Sequence, residues 1–446
     1  MPARFRATLV ALGLLVALLS PTAPASADNV VTPGDFTGYG FDQCLAPTQK
    51  AMDVWWLNSP FTGVGIYISG NSRACRSQPN LTPEWVSRQL AAGWRLLPIT
   101  LGPQASCSTR YPRYGAKIDP TIKSDPTNRY AAARAQGVAE ADTAVAAAAA
   151  LGIVRGSTLW YDLEGFDSSQ TNCRESAKAF LSSWTEQLHA RGYVSGVYSS
   201  ASSGMRMLDQ ARINAQPYIT LPDRLWIADW NGKADVYSTY ISNEGWMPHA
   251  RMHQYRGGHN ETHGGVTINI DSNWIDLGRG SWIAAEPKHC GSVNYNLSTW
   301  LPLAQGTNAT ANVRALQCML RSRKLYPTNT LTGVYDATTI KAVRAYQARR
   351  GLTVQDRWTL KAWTVLLAEG TQPVSKFGSA STGVRRLQRA LNAAGAGKPA
   401  VTGIVDATTV SAIKTYQTRV GLSANGVAGP STWQALSTGK SVQRRR

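Results

Sequence analysis

Leu159-Trp160-Tyr161-Asp162-Leu163-Glu164-Gly165 is the stretch around which the chain is organised: a short apolar run gives way to glycine, and two carboxylates stand at i and i+2 where it does. Residues i and i+2 of a strand point to the same face. At the mouth of a barrel, Asp162 and Glu164 would therefore stand side by side in the lumen, with Cα atoms roughly 6–7 Å apart by strand rise. Two neighbouring carboxylates need not titrate alike. The more enclosed one keeps its proton and can act as a general acid, while its partner stays ionised and supports a cationic transition state, which is the chemistry of glycosidic-bond cleavage. An isolated Asp-x-Glu is more often a polar strand end that caps a helix or pairs with arginines, so the rest of the chain has to carry the reading.

Working outward, eight β-like runs recur, most followed by a turn and a helical pattern: Tyr39 to Asp42, Gly65 to Ser69, Arg95 to Thr100, Leu159 to Asp162, Val194 to Ser199, Leu225 to Ala228, Arg251 to Tyr255 and Thr267 to Asp271. Helical patterns are clearest at Pro47 to Leu57, Pro83 to Ala92, Asn128 to Leu151, Arg174 to Arg191 and Ser202 to Ile213, with glycines at 93, 152 and 192 closing three of them. Eight alternating units within residues 28–285 have the size and order of an α/β, TIM-like (β/α)8 barrel. The stretches after runs six and seven lack an amphipathic helix.

A barrel predicts chemistry at the C-terminal ends of its strands. Acids fall there: Asp42 after the first run, Asp162 and Glu164 after the fourth, Asp229 after the sixth and Asp271 after the eighth. Tyr67, Tyr198, Trp230 and Tyr255 at the same ends offer flat faces for sugar rings. His253 on the seventh run is a further candidate for substrate binding, although a hydrogen-bonded structural histidine is an equal reading. His259 and His263 lie in a glycine-rich stretch, Gly257 to Gly265, without a third ligand at useful spacing, so no metal is expected. Neither a Gly-x-Ser-x-Gly elbow nor a P-loop occurs, and no cofactor is implied.

The first residues read as a targeting segment. Arg4 and Arg6 precede an apolar run from Ala7 to Leu19, and Ala25-Ser26-Ala27 offers a small-residue cleavage site, so residues 1–27 are expected to be a signal peptide. No later run approaches the ~20 apolar residues of a membrane span. An exported, soluble protein, most simply a monomer, is the expectation.

Six cysteines fit that compartment: Cys44, Cys75, Cys107, Cys173, Cys290 and Cys318 are even in number and show no C-x-x-C spacing. The first four follow the first four strands, in loops of the presumed catalytic face. Among the possible pairings, Cys75 with Cys107 and Cys44 with Cys173 is the one adopted, as a pair of bridges holding the cleft rim.

Charge is segregated along the chain. Residues 28–290 carry 23 Lys and Arg against 23 Asp and Glu, whereas residues 291–446 carry 21 against 4. A near-neutral domain is thus joined to one that adheres to something anionic. A nucleic-acid partner rests on charge alone and is not expected.

Gly40-Phe41-Asp42, Tyr161-Asp162-Leu163-Glu164, Trp226-Ile227-Ala228-Asp229-Trp230, His253-Gln254-Tyr255 and Ile270-Asp271-Ser272-Asn273, in this order, resemble the actinobacterial glycoside-hydrolase-like domain first catalogued as a domain of unknown function. The resemblance covers about residues 36–280. That domain is similar in its strand-end acids to the family 25 muramidases, barrels that cleave between N-acetylmuramic acid and N-acetylglucosamine. Carried over by position, the muramidase pattern implies Glu164 as general acid, Asp162 as its ionised neighbour, and Asp42 and Asp271 as acids lining the cleft floor. Asp42-Gln43-Cys44 departs from the Asp-x-Ser favoured by muramidases, and Asp229 is an acid they usually lack; both departures bear on the substrate.

Beyond Cys290 an internal repeat appears. Gly333-Val334-Tyr335-Asp336-Ala337-Thr338-Thr339 recurs as Gly403-Ile404-Val405-Asp406-Ala407-Thr408-Thr409, an offset of 70, and Tyr346-Gln347, Gly351-Leu352 and Trp363 recur with it. The copies, taken as residues 286–370 and 371–446, are similar to the peptidoglycan-binding domain of the three-helix type. The second keeps Gly426-Val427-Ala428-Gly429-Pro430-Ser431-Thr432-Trp433; the first has Val354-Gln355-Asp356-Arg357-Trp358-Thr359 instead, which makes it a weaker binder or a spacer. Cys290 and Cys318 are expected to tie the leading segment of the first copy to its first helix.

These readings converge on a secreted, wall-associated glycoside hydrolase acting on peptidoglycan, held to the wall by two basic all-α modules that also attract anionic wall polymers. The competing reading is a non-catalytic glycan-binding protein with a hydrolase-like barrel.

Overall fold

The pivot is β4, Thr158–Leu163, whose residues alternate as a barrel strand requires. Trp160 joins the apolar filling of the barrel interior, while Leu159, Tyr161 and Leu163 belong to the shell between barrel and helices. Tyr161 packs there on Phe180 and Trp184. The computed structural model describes residues 29–327 and 329–440, so the expected signal peptide lies outside the described residues.

The eight strands close a barrel in sequence order: β1 Phe36–Asp42, β2 Gly63–Ser69, β3 Arg95–Thr100, β4, β5 Val194–Ser200, β6 Arg224–Ala228, β7 Ala250–His263 and β8 Val266–Leu277. Helices α1 Gln49–Asn58, α2 Pro83–Ala92, α3 Thr127–Ala150, α4 Thr171–Ala190 and α5 Arg206–Ile213 surround its first five strands. Their ends follow local rules. The α2 helix starts where the Thr82 side chain accepts from Trp85 N, with proline in its first turn, and stops at Gly93 in the left-handed conformation.

The last strand departs from the expected (β/α)8 repeat. β7 and β8 are joined by only Gly264 and Gly265, both at positive φ, and β8 runs antiparallel to both β7 and β1. A parallel crossover needs a dozen or more residues, whereas two glycines at positive φ make a hairpin. The glycine-rich stretch from Gly257 to His263 is therefore strand, and the pair projects past the rim. Asp271 marks where β8 enters the barrel, not where it ends, yet it still reaches the cleft because its register partner is Asp42. Residues 229–249, between β6 and β7, form no helix, interrupted as they are by Gly232, Gly245 and Pro248.

The barrel is filled, not hollow. Leu97, Ile99, Trp160, Trp226, Met252 and Ile275 pack inside it, with Trp160 and Trp226 edge to face at 5.6 Å. Above this plug, polar side chains gather at the upper rim.

The bridges join neighbouring loops. Cys44 pairs with Cys75 and Cys107 with Cys173, at Cα separations of 5.7 and 6.0 Å, correcting the pairing of Cys75 with Cys107 and Cys44 with Cys173. A disulfide reaches only about 7 Å between Cα atoms. The loops after β1 and β2 adjoin, as do those after β3 and β4, whereas a bridge from Cys44 to Cys173 would have to cross the cleft mouth. Cys290 pairs with Cys318.

Six further helices follow in two sets of three: α6 Thr310–Ser322, α7 Ala337–Arg349 and α8 Leu360–Leu367, then α9 Thr382–Ala393, α10 Ala407–Arg419 and α11 Pro430–Ser437. The repeated Asp-x-x-Thr opens the middle helix of each set, Asp336 accepting from Thr339 N and Asp406 from Thr409 N. Buried amides brace equivalent turns: Gln317 donates to Val334 O and Thr339 Oγ1, and Gln388 to Ile404 O and Thr409 Oγ1. One apolar cluster runs through both sets, from Trp300 and Trp363 to Val384 and Trp433.

The second set is seated on the barrel at the end opposite the cleft. Lys376 is buried there, donating Nζ to Phe61 O at 2.6 Å and Ser59 O at 3.4 Å and lying over the Trp56 and Trp94 rings. Phe377 packs on Tyr39 and Trp274.

Candidate active site

Four of the predicted acids meet at the upper rim. Asp42 lies at the end of β1, Asp162 near the end of β4, Glu164 just past it, and Asp271 on β8 opposite Asp42. Asp42, Glu164 and Asp271 line a cavity of about 330 Å³ with Tyr67, Tyr111, Arg73, Arg110 and Arg113. A second cavity of about 370 Å³ adjoins it, lined by Tyr198, Asp229, Trp230 and Tyr240. Glu164 and Arg110 line both.

Asp42 is buried, and its position depends on close backbone approach. A Cβ at Gly65 would come within 2.5 Å of the Asp42 Cβ, so glycine on β2 makes room for the carboxyl. Asn273 Nδ2 donates to Asp42 Oδ1 at 2.7 Å and Gln254 Nε2 at 3.1 Å. Burial, and next the Asp271 charge, push the Asp42 carboxyl up to about 8. Asp271 is raised too, chiefly by burial, and the two carboxyls are hydrogen-bonded. Asp42 thus holds the proton of the pair and Asp271 accepts.

Asp162 is raised well above the carboxylate range by burial, with the Glu164 charge adding to it. Tyr67 Oη donates to its Oδ2 at 3.2 Å, while Oδ1 has no hydrogen-bond partner among the described residues. Glu164 keeps 21% of its side chain exposed and accepts from Arg110 Nη1 at 3.0 Å. In the free protein Asp162 is the enclosed member of the pair and Glu164 the accessible one, held by the Arg110 guanidinium. Solvent access separates them, because Asp162 points into the plugged lumen and Glu164 stands one step higher, at the mouth.

The other predicted residues divide. Tyr67 and Tyr198 face the cleft, Tyr198 Oη donating to Gln254 Oε1 at 3.0 Å. Trp230, 67% exposed, lies flat over Gly257, where a Cβ would come within 2.5 Å of the ring, and donates Nε1 to the same Gln254 oxygen at 2.9 Å. Asp229 accepts from Ser238 Oγ at 2.7 Å. His253 is not at the cleft: it is fully buried, with its ring nitrogens against Asp235 O and Asp229 O. Tyr255 shares that outward face, its ring edge-on to His253. Alternation explains both, since Met252 and Gln254 are the β7 residues that turn inward.

Three positioning residues were missed. Gln254 joins the two cavities, accepting from Tyr198 and Trp230 while donating to Asp42. Asn273 shares the hold on Asp42. Gln104, fully buried, clamps the end of β4, donating to Asp162 O and accepting from Glu164 N, each at 2.8 Å. Gln254 and Asn273 sit one or two residues from predicted site residues, and an inward amide beside a buried carboxyl is the signal that could have found them. Gln104 is in a long loop with no such signal. Among the described residues, no cluster of His, Cys, Asp and Glu could hold a metal ion.

Comparison with known proteins adds the following. The family model described as Rv2525c-like, glycoside hydrolase-like domain matches residues 54–275. That described as putative peptidoglycan binding domain matches residues 309–364 and 380–436. No curated protein matches the chain. Among solved structures it is similar to an uncharacterized B. stearothermophilus protein, at 18% identity over 53% of this chain and 95% of that one, with a TM-score of 0.35. It is also similar to the Tat-secreted protein Rv2525c of Mycobacterium tuberculosis, solved with L-tartrate, at 15% identity over 53% and 95% with a TM-score of 0.34. Similarity to a family 25 glycosyl hydrolase from Bacillus anthracis is 12% over 58% and 96%, with a TM-score of 0.30.

Proposed function

From the premise that this chain carries an Rv2525c-like glycoside hydrolase-like domain followed by two peptidoglycan-binding domains, we propose that it is an exported hydrolase of cell-wall glycan, acting on peptidoglycan. The observation that carries the proposal is the position of Glu164, an accessible carboxyl at the junction of two cavities with a buried carboxyl, Asp162, beside it. A glycosidic bond lying across that junction meets Glu164 with one sugar in each cavity.

In this reading Glu164 gives a proton to the glycosidic oxygen and water completes the cleavage, returning a proton. Positive charge developing at the anomeric carbon favours the ionised form of Asp162 beneath it, the one state burial otherwise opposes. Asp42 and Asp271 line the floor as a hydrogen-bonded pair. Trp230 and Tyr240 supply aromatic faces on the far side. The helical modules hold the barrel at the wall, and their cationic surplus adds salt-sensitive attraction to anionic polymers.

A second reading, a barrel that binds glycan without cutting it, is favoured by one observation: Arg110 occupies Glu164 Oε2 in the free protein. One experiment separates the two. Reducing ends released from purified peptidoglycan are compared for the wild type and Glu164→Gln at matched wall binding. The hydrolase releases them and the variant does not; a wild type that releases none removes the hydrolytic reading.

A further inference from the structure

The two cavities that meet at Glu164 differ in charge. The first is lined by Arg73, Arg110 and Arg113, from the loops after β2 and β3. Arg73 is spent on backbone carbonyls, donating to Gly70 O at 2.8 Å and Tyr67 O at 3.3 Å, and Arg113 donates to Ser72 O. Among the described residues neither has a carboxylate within ion-pair distance; of the three, only Arg110 has one there, and it is Glu164. The second cavity has aromatic rings and Asp229, and among the described residues Arg110 is the cation that lines it.

Guanidinium groups have donors only, so Glu164 Oε2 is an acceptor while Arg110 holds it. A carboxyl in that state has no proton to give at that oxygen. The contact is also exchangeable. The Arg110 side chain is 62% exposed, and an ion pair in such surroundings is weak enough for an incoming anion to compete with it.

We infer that Arg110 is the receptor for a carboxylate on the substrate, and that its transfer from Glu164 to this carboxylate frees Glu164 to act. The substrate class is a glycan whose sugar in the arginine-lined cavity bears a free carboxylate, while its neighbour stacks on Trp230 and Tyr240. Once released, Glu164 takes its proton from solvent, so no other reactant is needed. The inference rests on the hydrolytic reading and deepens it. In peptidoglycan the lactyl carboxyl of the muramic sugar is tied to the peptide as an amide. It is free only where that amide has been hydrolysed, so amide hydrolysis is the class of reaction that supplies this substrate.

The test compares three forms of one preparation with the full chain: glycan strands stripped of peptide, the same strands with their carboxyls converted to amides, and peptide-bearing peptidoglycan. Wild type should prefer the free acid over its amide by about tenfold in kcat/KM, the scale of one charge-assisted hydrogen-bonded contact. Arg110→Ala should bring that ratio close to one, and Arg110→Lys should keep part of it. A purely structural role for Arg110 would lower all three rates and leave the ratio alone. Preferential cleavage of a polyuronate would keep the receptor and move the carboxylate from lactyl group to sugar ring. Equal wild-type rates on acid and amide, or an unchanged ratio in Arg110→Ala, overturn the inference. If no form yields reducing ends, the hydrolytic reading has failed instead. The same ratio measured as Kd by calorimetry then decides whether the receptor stands.

Discussion

Asp42 on β1 and Asp271 on β8 are direct register partners across an antiparallel pair, and a hydrogen bond joins their carboxyls. In an all-parallel barrel these residues would close adjacent strand ends. Here the hairpin brings Asp271 down into the rim from above, so two carboxyls share one enclosed site and one of them must keep its proton.

The first prediction follows from that proton. The Asp42 carboxyl rises from an ordinary 3.8 to about 8 in the folded protein. Below about pH 4 both states are protonated; between there and about pH 8 the unfolded chain gives up the proton that the folded one retains. The stabilising contribution is thus full below the unfolded value and lost as pH rises through the folded one, with a slope of about 1.4 kcal/mol per pH unit for one such group. The carboxyls of Asp162, Asp271 and Glu140 are raised and act with the same sign. Asp42→Asn keeps an acceptor for Asn273 and removes the titration. The melting temperature of the wild type should fall between pH 4 and 8, and that of Asp42→Asn should fall less. Parallel curves would remove Asp42 as the source.

A second prediction concerns the loop that brings Arg110, Tyr111 and Arg113 to the cleft. Cys107, three residues before Arg110, is tied to Cys173 at the start of α4, a sequence separation of 66. Opening a loop of that size costs about 2–4 kcal/mol through the unfolded state. Cys107→Ser with Cys173→Ser should lower stability by that amount. It should also expose a protease-sensitive site within residues 105–125 under native conditions, with reduced release of reducing ends. An uncut loop at full activity would mean that Gln104 and its neighbours hold it unaided.

How much of this was legible beforehand can be argued from particular residues. The alternation in Leu159 to Glu164 placed two carboxyls on one face, and strand-end acids on separate runs pointed to one rim; both are local properties that a strand enforces. Three things were not local. The Gly264-Gly265 pair is a hairpin signal that the reading of eight alternating units passed over. The cysteine pairing depended on which loops adjoin, and that depends on strand order. Which of Asp162 and Glu164 is the more enclosed depended on solvent access, set by the depth of the Trp160 and Trp226 plug. Of the two readings of His253 the hydrogen-bonded structural one holds, because one residue of register turns a side chain to the other face.

The last prediction concerns how the modules meet the barrel. Burial pushes the Lys376 ammonium well below its usual range, and that cost is opposed by two carbonyl oxygens and two indole faces. Lys376→Ala removes all four contacts, leaves Phe61 O and Ser59 O without this donor in a buried site, and opens a cavity between Trp56 and Trp94. The expected loss is about 2–4 kcal/mol, the scale of a buried polar group stranded beside a void. The loss falls on the junction and not on either core, so melting should separate into two transitions and a protease cut should appear near residues 371–380. Lys376→Met keeps the stem between the indoles and drops the hydrogen bonds, so it should lie between the wild type and Lys376→Ala. A single unshifted transition in Lys376→Ala would show that Phe377 on Tyr39 and Trp274 suffices to seat the modules.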